Sequence, residues 1–149
     1  MTEFDPSGPD PDAITAYILA TFPAAATIEA AGTTFFSLDP ERHFPNFATI
    51  VTNDDYDEGS NLSRPGVFRL NIGVGRETFE RLVGSVVEPD YSVLDGVIPH
   101  PTYARQLWVA ILNPSAATFE DVVKPLLAEA YERLAAQRAR HATSGGSDG

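Results

Sequence analysis

A chain of 149 residues, 43% hydrophobic and 10% aromatic, is long enough to bury a core of its own and reads as one domain. Its formal net charge of −11 opposes contact with nucleic-acid phosphates and with anionic membrane surfaces, and favours neutral or basic partners. With no cysteine, disulfides, thiolate catalysis and thiolate metal sites are excluded.

Residues 1–9 are acidic and proline-rich and read as a disordered lead. Residues 1–12 carry neither a basic n-region nor an apolar run, so a signal peptide is not expected. No stretch reaches the length of a transmembrane helix, and a cytoplasmic location is expected. Asp10-Pro11 is an N-cap followed by proline at the first helical position. Ile14, Tyr17, Ile18 and Phe22 follow at helical spacing, and Pro23 stops the run.

Residues 27–31 and 33–38 flank Gly32 and are rich in Thr, Phe and Ile, which predicts two strands joined by a tight turn. Asp39-Pro40 begins a loop, and residues 47–52 form a third strand. A polar loop spans residues 53–65. Residues 67–74 alternate most cleanly, with Phe68, Leu70, Ile72 and Val74 on one face and Val67, Arg69, Asn71 and Gly73 on the other. A short helix follows Gly75, with Phe79, Leu82 and Val83 on its apolar side and Gly84 as its stop.

Residues 88–101 read as irregular, punctuated by Asp95-Gly96 and Pro99. Residues 106–112 are apolar on both faces and predict a central strand ended by Asn113-Pro114. Thr118 with Asp121 resembles a capping box. A long helix then carries Phe119, Val122, Val123, Leu126, Leu127, Ala130, Tyr131 and Leu134 on one face. Pro125 kinks or restarts it. Acidic Glu120 and Asp121 at its start, with Arg133, Arg138 and Arg140 near its end, suit the helix dipole.

The expected domain is 10–141, with 142–149 a flexible tail. It is α+β: an antiparallel sheet of about five strands with the N- and C-terminal helices packed together on one face.

Gly73-Val74-Gly75, between a strand and a helix, invites a phosphate-binding reading, but Thr78 stands where a third glycine belongs and no βαβ unit precedes it. The glycines then simply make the turn. In the acidic stretch from Asp54 to Gly59, an EF-hand alignment on Gly59 puts Tyr56 at the third position and Pro65 at the twelfth, so a solvated loop is favoured over a calcium site. His43, His100 and His141 lack metal-ligand spacing, and no metal or other cofactor is expected. Neither G-x-S-x-G nor a Walker A loop is present.

Residues 100–113 hold the densest recognition chemistry: a His-Pro turn, Tyr103, Arg105 and the single Trp, Trp108. The ligand-binding candidates are Arg69, Asn71, His100, Tyr103, Arg105 and Trp108. Arg69 and Asn71, on one strand face, suit a carboxylate or phosphate if that face is covered, and otherwise face solvent. Tyr103 and Trp108 are pocket walls, or Trp108 is core. The leading expectation is a binding module for a small molecule or protein. The alternative is an enzyme using His100 as general acid or base, with Asp95 or His43 as partner, against a turn-capping role for the same ring. The oligomeric state is left open.

The run from Phe68 to Val74, the segment His100-Pro101-x-Tyr103-Ala104-x-Gln106-x-Trp108-Val109, Leu112-Asn113-Pro114 and the run from Pro125 to Ala130 together resemble a bacterial family, domain of unknown function 6194. The resemblance covers about residues 12–140 and implies no activity. A more distant likeness is to MmcQ/YjbR-like proteins, through the Trp-bearing strand after a His-Pro turn, Leu126-Leu127 and Tyr131-x-x-Leu134. It implies a frataxin-like α+β layout and DNA binding. The chain departs from it in lacking basic loops, and its charge sets DNA binding last among the three readings.

Overall fold

In the computed structural model, Asp10 caps helix α1 (Pro11–Thr21): its side chain accepts from the Ala13 N–H at 2.8 Å, and Pro11 fills a position that needs no donor. The structure describes residues 8–30, 32–52, 66–86, 88–101 and 103–148, with side chains except at 43, 44 and 141–148. Residues 1–7 of the expected lead, the acidic loop 53–65 with its calcium alignment, and the His43 side chain lie outside the described residues.

Among the described residues six strands form one sheet: β1 (Ala26–Ala30), β2 (Thr33–Asp39), β3 (Arg42–Val51), β4 (Arg69–Gly73), β5 (Val97–Pro99) and β6 (Trp108–Leu112). Their order is β1-β2-β3-β4-β6-β5, and every paired neighbour is antiparallel. The class is α+β as expected, with one strand more. The addition is β5, three residues within the stretch read as irregular, too short to show a period. Its pairing with β6 makes β6 an interior strand.

The loop expected at Asp39-Pro40 is a tight turn. Asp39 pairs with Arg42, and the Asp39 carboxylate accepts from the Glu41 N–H at 2.9 Å. Strand β3 therefore starts at Arg42 and passes through Pro45, where the register with β2 shifts between Phe36 and Asp39. A proline without a donor is tolerated where the ladder is broken.

Helix α2 (Arg76–Val83) ends at Gly84. The chain beyond β6 begins its helix at Ala116, capped by Ser115 Oγ, which accepts from Thr118 N–H at 3.2 Å. Ser115 is therefore the cap, in place of Thr118. One α turn, α3 (Ala116–Thr118), leads into a π-helical turn (Phe119–Val123) and then α4 (Lys124–Asp148). Proline at 125 can give no N–H to the carbonyl four residues back, and the wider turn immediately before it accommodates that loss. Helix α4 continues to Asp148, beyond the boundary expected at 141.

Helices cover one sheet face. The core there joins Ile14 and Ile18 of α1, Phe36, Leu70, Ile72 and Ile111 of the sheet, and Leu127 of α4, all fully buried. Each such side chain contributes about 1.5–3 kcal/mol of transfer free energy. Helices α1 and α4 meet as expected: the Lys124 ammonium lies 4.8 Å from the centre of the Tyr17 ring, and just past α1 Phe22 stacks on Tyr131 with ring centroids 4.8 Å apart, while the Tyr131 hydroxyl accepts from the Ala24 N–H at 3.2 Å. The opposite face has its own cluster of Val51, Val67, Ile98, Ala110 and Leu112, with Tyr91 and Leu94 packed on it. Asp95, in the left-handed region at φ 63°, anchors that crossing segment. Its N–H donates to the Leu112 carbonyl, and its carboxylate accepts from the Ser115 N–H.

Candidate functional site

Strand alternation decides which chemistry meets which. Register pairs Thr49 with Asn71, Asn71 with Ala110, Arg69 with Leu112, and Gly73 with Trp108. All of these therefore share the face opposite the helices. That face is covered at Arg69 and Asn71, which are 0% and 1% exposed, so the solvent-facing alternative for the pair does not hold. Arg69 Nε donates to Asn71 Oδ1 at 2.9 Å, and Asn71 Nδ2 donates to Thr49 Oγ1 at 2.9 Å. A buried guanidinium is costly unless hydrogen-bonded, and this chain of bonds supplies part of what it needs.

His100 is buried and lies at the start of the β5–β6 turn. Its Nδ1 accepts from the Tyr103 N–H at 3.0 Å, and its ring packs on Tyr103 with centroids 4.9 Å apart. The imidazole thus organises the turn, the turn-capping role weighed in the sequence. A one-turn 3₁₀ helix (Ala104–Gln106) follows, closed by Leu107 in the left-handed region at φ 69°. The Leu107 carbonyl accepts from the Val74 N–H at 3.0 Å, tying the turn to the end of β4. Tyr103 and Arg105 remain on the outside of this turn. Asp95, the carboxylate considered as a partner for His100, is instead engaged with Ser115.

Trp108 covers Gly73. A Cβ on Gly73 would stand 3.0–3.3 Å from indole atoms Cε2, Cζ2 and Nε1. The absence of a side chain is what lets the indole settle there. Beside it, the middle of α4 borders an open hollow of about 390 Å³, lined among others by Asn46, Gln106, Trp108, Arg133, Gln137 and Arg140. Arg133, Gln137 and Arg140 recur at spacings of four and three, which puts them on one side of the helix. Neither arginine is in a hydrogen bond or salt bridge among the described residues. An adjoining hollow of about 370 Å³ is lined by Leu38, Asp39, Arg42, Pro45 and Arg138, and shares Leu134 and Gln137 with the first.

Glycines 73 and 75 make the strand-to-helix turn. The N-terminal amides of α2 meet a carboxylate from within the chain: Glu129 of α4 accepts from the Gly75 N–H and from the Thr78 hydroxyl, each at 2.8 Å. That leaves no vacancy there for a phosphate. Among the described residues, no group of three or more His, Asp or Glu is placed to hold a metal ion, and no helix is long and apolar enough to cross a membrane.

Residues 9–144 match DUF6194, a family of unknown function. The chain belongs to that family. No curated protein and no solved structure matches it. The likeness to MmcQ/YjbR proteins thus finds no counterpart.

In this DUF6194 chain the sequence candidates divide into three groups. Arg69, Asn71 and His100 are brought to one buried sheet face, Trp108 lies half-buried at its edge, and Tyr103 and Arg105 stay exposed. Asn46, Gln106, Arg133, Gln137 and Arg140 escaped sequence reasoning. For the two arginines a signal existed, since cations on one side of a final helix in a chain of net charge −11 are chemically conspicuous. For Asn46 and Gln106 there was none.

Proposed function

We propose that this protein is a binding module for a small organic anion, taken up in the hollow beside Trp108. The observation that carries the reading is the pair Arg133 and Arg140 facing that hollow without a partner among the described residues, on a strongly acidic chain. In this reading Trp108 is an aromatic wall, and Gln106, Asn46 and Gln137 supply amide hydrogen bonds. Arg69 and Asn71 are positioning residues that fix β4 beneath the indole, and His100 fixes the turn that presents Gln106. Two charge-assisted contacts in a hollow open to water support an affinity of about millimolar or somewhat tighter, weakened by salt.

The single tryptophan is the reporter. Titration with benzoate should change Trp108 emission saturably, and Arg133→Gln with Arg140→Gln should abolish the change while leaving the circular dichroism spectrum intact. An unsaturable response, or one indifferent to the two arginines, would defeat the reading.

A further inference from the structure

The two hollows differ in how their charges are used. In the one holding Leu38, Pro45 and Leu134, each arginine is already engaged: Arg42 lies 3.9 Å from the Asp39 carboxylate, and Arg138 donates to the Leu38 carbonyl. Beside these polar groups the hollow presents the apolar surface of Leu38, Pro45 and Leu134. In the hollow beside Trp108, Arg133 and Arg140 have no hydrogen bond or salt bridge among the described residues. The two hollows adjoin, because Leu134 and Gln137 border both. Side by side, the hollows offer a cationic end and an apolar end, with Leu134 and Gln137 between them.

From this we infer that the ligand is an amphipathic carboxylate, its charged group between Arg133 and Arg140 and its hydrocarbon arm across Gln137 into the Leu38–Pro45–Leu134 hollow. The inference rests on the anion-binding reading above and specifies its substrate class. A guanidinium matches a carboxylate with two parallel N–H donors, whereas the second hollow rewards only the removal of apolar surface from water. Hollows of about 370 and 390 Å³ stand at the small end of ligand sites, which suits a narrow flexible chain better than a multi-ring body.

The test is calorimetric titration of the full chain with acetate, butyrate, hexanoate and octanoate. Affinity should rise about two- to fourfold per added methylene, as expected for partial to full burial of each. A variant at an exposed position separates the ends. Pro45→Asp sets a charge in the apolar hollow, away from the two arginines that hold the anion. It should keep acetate binding and flatten the chain-length dependence, with unchanged circular dichroism. Acetate binding with a flat series in the wild type would overturn the amphipathic ligand and leave anion binding standing. A chain-length gain that survives Pro45→Asp would put the hydrocarbon elsewhere and overturn the inference. Absence of binding across the whole series would defeat both readings together.

Discussion

Gly73 and Trp108 face each other across β4 and β6, so close that a methyl group on Gly73 would stand 3.0 Å from the indole. Two effects of opposite sign compete in Gly73→Ala. Alanine gains about 0.5–1 kcal/mol over glycine in a strand, and crowding the ring costs about as much or more. The ring is half-buried beside an open hollow and has room to give way. Stability should therefore change by less than about 1 kcal/mol, while Trp108 emission shifts and benzoate affinity falls. Urea titration and fluorescence together check this, since a merely structural glycine would move the first and spare the last.

The Arg69–Asn71–Thr49 chain of hydrogen bonds makes a sharper stability statement. Asn71→Ala takes the acceptor from Arg69 Nε and the donor from Thr49 Oγ1 in a buried setting. The expected cost is about 2–4 kcal/mol. Replacing both members, Arg69→Met with Asn71→Leu, removes the buried charge along with its acceptor. It should cost about 0.5–3 kcal/mol less than the sum of the single changes. A double-mutant cycle by urea denaturation measures that difference, and simple additivity would mean the two side chains are uncoupled.

Glu129 ties α4 to the start of α2 through Gly75 and Thr78. Glu129→Ala should lose about 1–3 kcal/mol, because a charge-assisted cap on backbone N–H disappears and the helix dipole goes uncompensated. Glu129→Gln keeps one carbonyl oxygen and should lose less. Hydrogen exchange should localise the loosening to the first turn of α2.

Lys124 gives a pH signature. Its ammonium lies 2.7 Å from Glu120 Oε2 and 4.8 Å from the centre of the Tyr17 ring. The hydrogen bond to Glu120 is the main reason its pKa rises above 10.5; burial pulls the other way, and the charges of Glu120 and Tyr17 add to the rise. A raised folded pKa means the contact stabilises fully below the unfolded value and is lost as pH climbs through the folded one. Wild-type urea midpoints should therefore fall more steeply than those of Lys124→Met between about pH 10 and pH 12.

Local signals were legible because their physics is local. Asp10-Pro11 names a helix start by itself, and the alternation from Phe68 to Val74 names a strand and its core face. Strand β5 was hidden because three residues carry no period, and it exists only through pairing with β6. Ser115 displaced Thr118 as the cap because both are good caps, and the bond from Asp95 to Ser115 N–H, a tertiary contact, fixes where the chain turns. Arg133 and Arg140 suited the dipole of α4 when taken along the helix. Their second setting, beside Trp108, depends on how α4 crosses the sheet, which no spacing within the helix encodes.

The most direct measurement is a heteronuclear NMR titration with hexanoate, following the indole N–H of Trp108 in the wild type and in the variant with Arg133→Gln and Arg140→Gln. A saturable shift of that resonance is expected, with the backbone signals of Gly73 and Gln106 moving alongside it, and no such response in the variant. An indole signal that stays in place while other regions respond, or that shifts equally without the two arginines, would contradict it.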